Sequence, residues 1–148
     1  MDNKQSKNQT TLIPYLKELL LSVEQEIPLS VLLSGRNVDD YVNSLIDHAE
    51  ILYWTEEGAI KGCIAFYCND PAKDSAFVTM LVVDPRFQGM GIGRALLKFV
   101  MEIARTRSFG MCRLQVHRDN TVAINLYKSL GFEIVDSDNA YFIMNNSL

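Results

Sequence analysis

Apolar residues at positions 12, 13, 16, 19, 20 and 23 follow the spacing of one helix face and predict a first α-helix over 12–23. Pro14 is tolerated there because the N–H groups of a first turn have no intrahelical partner to lose. Residues 27–36, which hold Pro28 and Gly35, read as an irregular connection. Asn37 stands where an N-cap belongs, ahead of a second helix whose apolar face is Val38, Tyr41, Val42, Leu45, Ile46 and Ala49. The period then changes. Residues 51–55 and 62–68 read as strands either side of the turn Glu56-Glu57-Gly58, and Asn69-Asp70-Pro71 makes the next turn. Residues 76–83 are nearly all apolar, the pattern of a strand covered on both faces. A helix is expected over 91–107, a strand over 111–116, and a helix over 120–130 closed by Gly131. Strands over 132–135 and 140–144 complete the chain. Hairpins come first and β-α-β crossovers follow, which predicts an α/β (mixed α+β) fold with helices on both faces of one sheet. Residues 1–10 read as a flexible tail and 11–148 as a single domain.

Composition narrows the function classes. The chain has 148 residues, of which 48% are hydrophobic and 22% charged, values of a globular domain. No apolar run approaches the roughly 20 residues of a membrane span, and the polar start Met1 to Lys7 leads into no signal-peptide core, so a cytoplasmic protein is expected. A net charge of −4 without a basic block disfavours nucleic-acid binding. Cys63, Cys68 and Cys112 form no C-x-x-C pair and sit among apolar neighbours, the setting of small buried hydrophobes. His48 and His117 show no metal-ligand spacing, and no metal is expected.

The chemistry concentrates in Leu81-Val82-Val83-Asp84-Pro85-Arg86-Phe87-Gln88-Gly89-Met90-Gly91-Ile92-Gly93-Arg94. An apolar strand runs into a loop with alternating glycines, and an amphipathic helix follows at once. Glycines permit positive φ and close approach to the backbone. The helix start offers unpaired N–H groups and the positive end of its dipole, which together favour a phosphate or pyrophosphate. Arg94 adds a positive charge in the first turn. The spacing is not G-x-G-x-x-G, and no Gly-Lys-Ser/Thr follows, so neither a dinucleotide fingerprint nor a nucleoside-triphosphate loop is present. Taken alone, the loop also suits a tight packing turn. A second stretch runs from Asp119 to Phe132, with Asn120 as N-cap and Tyr127 two turns later, on the side expected to face the preceding strand.

Gln88-Gly89-Met90-Gly91-Ile92-Gly93 matches the Q/R-x-x-G-x-G/A signature of the GNAT superfamily of acyl-coenzyme A-dependent N-acyltransferases. Asn120, Ala123, Leu126, Tyr127, Gly131 and Phe132 resemble its second motif. The resemblance spans about residues 51–144. It implies a mostly antiparallel sheet that splays at a cofactor cleft between strands 76–83 and 111–116. The backbone of Leu81 and Val83 would bond the acyl carbonyl and pantetheine amides. Gln88, Gly89, Met90, Gly91, Gly93 and Arg94 would cradle the pyrophosphate, and Asn120 would touch the pantetheine. Acetyl-CoA is the implied co-substrate and a primary amine, on a small molecule or a protein, the implied acceptor. Attack on the thioester would be direct, with Tyr127 as general acid to the leaving thiolate.

The general base is less legible. Tyr53, Tyr67, Asp70 and His117 are candidates by position; His117 leads because its ordinary pKa suits the task, and a water-mediated base stands beside it. Glu24, Glu26, Asp39, Asp136 and Asp138 sit in the connections where relatives place the acceptor, and either attract a cationic amine or are simply solvated. An apolar last strand, if left at an edge, would favour a homodimer. Two rival readings stay open: a non-catalytic acyl-CoA-binding module, and a regulatory domain that holds another nucleotide in the glycine loop.

Overall fold

In the computed structural model, residues 12–24, 33 and 35–148 are described. The expected tail, most of the connection 27–36 and Glu26 lie outside the described residues. The elements run α1 (Ile13–Ser22), α2 (Val38–His48), β1 (Glu50–Glu56), β2 (Ala59–Tyr67), β3 (Ser75–Val83), a 3-10 turn (Pro85–Phe87), α3 (Ile92–Thr106), β4 (Met111–His117), α4 (Thr121–Ser129), β5 (Glu133–Ser137) and β6 (Tyr141–Ser147). Each follows from its local chemistry. Asn37 caps α2 by accepting from the N–H groups of Asp39 and Asp40. Asn120 caps α4 by accepting from Ala123. Gly131, at φ +99°, turns the chain out of α4 just past its last residues.

The six strands form one sheet in the order β1-β2-β3-β4-β6-β5, antiparallel except for the β3–β4 pair. The mixed, mostly antiparallel sheet of the sequence reading is present, and helices cover both faces. α1 and α2 bury Leu16, Leu19, Leu20, Val42 and Leu45 against one face. α3 and α4 bury Leu96, Leu97, Val100, Ile124 and Tyr127 against the other.

One expectation is corrected. The last strand is not an edge: β6 pairs with β4 on one side and β5 on the other. β5 is the outer strand and is exposed along its whole length, with three of its five residues polar. The edge argument for a homodimer through residues 140–144 therefore falls. The second strand also begins three residues earlier than its hydrophobic run, because Ala59 and Ile60 already pair with Glu56 and Thr55.

A bulge in β3 organises the rest. Ala65 pairs with Met80 but Phe66 pairs with Val78, so Thr79 is an extra residue. In a regular strand positions 76, 78, 80 and 82 share a face. Here Ala76 and Val78 pack with α3 and α4, whereas Met80 and Val82 pack with α1 and α2. The extra residue flips the alternation, and Leu81 and Val83 now turn their side chains toward α3.

Candidate functional site: a cleft where two strands part

β3 and β4 pair only from Ser75–Met111 to Val78–Leu114. Beyond that point Thr79–Val83 and Gln115–His117 continue without pairing to one another. The register of β3 on β2 shows what faces the gap. The Asp84 N–H donates to the Lys61 carbonyl at 2.7 Å, which makes that a hydrogen-bonded pair. Alternation then makes Val82–Cys63 and Met80–Ala65 hydrogen-bonded pairs as well. The N–H and C=O groups of Leu81 and Val83 point the other way, into the gap. The Val83 carbonyl accepts there from Gln88 Nε2 at 3.1 Å.

The loop after β3 is held by Asp84. Its buried carboxylate accepts from the Arg86 backbone N–H at 2.9 Å and from Arg86 Nε and Nη2, with Lys61 at 3.8 Å. These hydrogen bonds from Arg86 hold the Asp84 carboxyl below the usual carboxylate range, against the opposing effect of burial. Gly89 and Gly91 have φ of +77° and +85°, a region that L side chains rarely adopt, and nothing lies within 4 Å of a Cβ built on either. Gly91 is the N-cap of α3 and provides no side-chain acceptor. No side chain caps the first turn of α3, from Ile92 to Arg94, and that turn holds no acidic residue. Arg94 donates to Ser129 Oγ at 2.7 Å and so leans over α4.

A cavity of about 720 Å³ runs along these groups, lined by Leu81, Val83, Gln88, Gly89, Gly91, Gly93, Arg94, Asn120 and Tyr127 among others. It brings together every expected cofactor residue except Met90, whose side chain is 67% exposed and does not line it. On the other side of the splay lies a smaller cavity of about 230 Å³, lined by Arg36, Tyr41, Thr79, Gln115, His117 and Tyr141. Leu81, Asn120 and Tyr127 line both cavities. Tyr127 is buried, and burial, with a smaller push from the Cys112 thiol, holds its phenol well above the ordinary range. It therefore carries its proton at neutral pH.

His117 lines the smaller cavity, edge-on to Tyr141 with ring centroids 5.4 Å apart. Its Nδ1 accepts the Asp119 N–H at 3.1 Å, which assigns the neutral ring's proton to Nε2. The other base candidates are not brought to the site. Tyr53 is exposed on β1, Tyr67 packs beside the α1–α2 core, and Asp70 accepts from Ala72 within its own turn. The acidic residues read as attractors of a cationic amine are also elsewhere. Asp39 pairs with Lys17, Asp138 accepts from Ala140 and Tyr141, and none of the described ones lines either cavity. The smaller cavity has Arg36 in its wall instead.

Arg36, Tyr41 and Thr79 carry no motif. Tyr41 reads as an ordinary core position of α2; only the fold shows its hydroxyl donating to the Thr79 carbonyl at 3.4 Å. Burial pushes that phenol up to about 12.

A splayed sheet, an uncapped glycine-rich helix start and a buried tyrosine at the junction define a class of acyltransferase cleft, and the comparisons agree. The model of the Acetyltransferase (GNAT) family matches residues 19–132, and the chain belongs to that family. Mycothiol acetyltransferase from Rhodococcus erythropolis is 36% identical over 89 residues, 60% of this chain and 27% of that protein. The Escherichia coli ribosomal protein bS18-alanine N-acetyltransferase is 38% identical over 68 residues, 46% of each chain. The chain therefore spans less than half the length of the curated relatives it matches. In fold it resembles the PaiA N-acetyltransferase of Thermoplasma acidophilum in complex with coenzyme A, with a TM-score of 0.72 and 21% identity over 93% of this chain and 94% of that one.

Proposed function

We propose that this protein transfers an acetyl group from acetyl-CoA to a primary amine by direct attack. The observation that carries the reading is the parting of β3 from β4, which turns the Leu81 and Val83 backbone toward a cavity running from an uncapped helix start to Tyr127. The residues present suit coenzyme A. An extended amide chain completes the unpaired edge of β3, as a peptide completes a sheet edge. A pyrophosphate suits the first-turn N–H groups of α3, reached through Gly89 and Gly91.

Bound acetyl-CoA supplies the thioester acyl group. The Leu81 N–H, fixed by the bulge at Thr79, meets the negative charge that builds on the acyl oxygen. Tyr127 donates its proton to the departing sulfur, and Asn120 borders the same junction. The attacking amine approaches from the smaller cavity. His117, whose Nδ1 accepts the Asp119 N–H, lines that cavity, and the amine's proton leaves to water beside it. Thiol release from acetyl-CoA in the presence of primary amines tests the reading. Turnover above the amine-free rate supports it, and tight acetyl-CoA binding with no amine acetylated favours an acyl-CoA-binding module instead.

A further inference from the structure

The acceptor side of the cleft has an unexpected electrostatic character. The chain carries a net charge of −4, yet the wall of the smaller cavity contains one arginine and no carboxylate among the described residues. That arginine differs from the rest. Arg86, Arg94, Arg105, Arg107, Arg113 and Arg118 each donate a side-chain hydrogen bond to an oxygen of the protein. Arg36 donates to none among the described residues. Its guanidinium carbon lies 5.5 Å from the Tyr41 ring centroid, and Tyr41 is tied through its hydroxyl to Thr79, the bulge residue where β3 leaves β4. The exposed Arg36 cation thus lies over the ring of the buried Tyr41, which touches the strand residue where the strands part.

A guanidinium so placed binds a carboxylate in a planar, two-pronged manner that an amide or a methyl group does not reproduce. The same charge opposes a second ammonium in the cavity and favours the neutral, nucleophilic form of the amine that does enter. The volume of about 230 Å³ suits a small molecule.

We propose that the acceptor is a small amine that also bears a carboxylate, an amino acid or close analogue, and that Arg36 binds that carboxylate. The inference rests on the acetyl-transfer reading above. The test is a thiol-release panel at saturating acetyl-CoA. Protein amino acids and ω-amino acids of three to six carbons are each paired with their carboxamide and their decarboxylated amine, and short peptides are run alongside. The expected result is at least one pair in which the carboxylate is preferred by about tenfold or more in kcat/KM, carried by KM. In Arg36→Gln that preference disappears while acetyl-CoA affinity holds; in Arg36→Lys part of it returns. Equal or better use of the amides or simple amines overturns the inference, as does a preference that survives Arg36→Gln or turnover of peptides alone. Folded protein that does not bind acetyl-CoA overturns the underlying reading. Protein that binds it and acetylates other amines but no carboxylate-bearing one overturns this inference alone.

Discussion

Gly62 of β2 lies directly beneath Ile92, the first residue of α3: a Cβ built on Gly62 would stand 2.7 Å from Ile92 Cγ2. No real Cβ sits that close to another carbon, and Ile92 is β-branched and stiff. The absence of one side chain on the sheet thus sets how closely the helix start approaches it. Gly62→Ala is expected to cost about 1–3 kcal/mol through overpacking. It should also shift the first turn of α3 and weaken acetyl-CoA binding. Denaturant unfolding and calorimetry on the same variant check both effects, and an unchanged affinity would show that the helix start is positioned by other contacts.

Tyr127 is buried at the junction of the two cavities with its proton held firmly. Removal of its hydroxyl in Tyr127→Phe should lower kcat by about 10²–10⁴-fold, the usual range for a lost general acid. Acetyl-CoA affinity should change by less than about tenfold, since the ring still fills its place. Steady-state kinetics beside calorimetry separates the two. Because the folded phenol titrates above its ordinary value, its loss of a proton does not shape the rate profile near neutral pH.

Asp84 ties the glycine loop to the sheet, and the Arg86 hydrogen bonds hold its folded carboxyl below the unfolded value. A depressed carboxyl pKa means that the unfolded chain binds the proton more readily. Its contribution to stability is full above the ordinary value of about 4 and fades as pH falls through the lower folded value. Asp84→Asn should therefore cost about 1–2 kcal/mol at neutral pH through the weakened cap and lost ion pairs. The gap between wild type and variant should narrow toward pH 3. Urea unfolding at several pH values measures it; a gap constant with pH would assign the cost to shape and not to charge.

Much of this fold was legible in the hydrophobic pattern because each element announces itself locally. Asn37 and Asn120 stand at helix starts with their apolar faces beginning at once, and Gly89 and Gly91 mark backbone that only glycine adopts readily. The cofactor side of the cleft is built from one continuous stretch, Leu81 to Arg94, which is why its spacing could be read. The acceptor side is assembled from distant pieces. Arg36 precedes one helix, Tyr41 lies within it, Thr79 sits in a strand and Tyr141 opens the last strand. No local signal links them. The bulge at Thr79 is equally silent, since an apolar run with both faces covered looks the same with or without an extra residue. Whether the last strand lies at an edge was open for a related reason: chain order says that it comes last, not that β5 lies outside it.

The most direct test of the central claim is calorimetric titration of the folded protein with acetyl-CoA, with ATP and NAD as controls. The cleft predicts saturable one-site binding in the micromolar range, about −8 kcal/mol, and much weaker binding of the two nucleotides. Absence of acetyl-CoA binding, or ATP or NAD bound as tightly, would contradict the reading and return the glycine loop to a packing turn or another ligand's cradle.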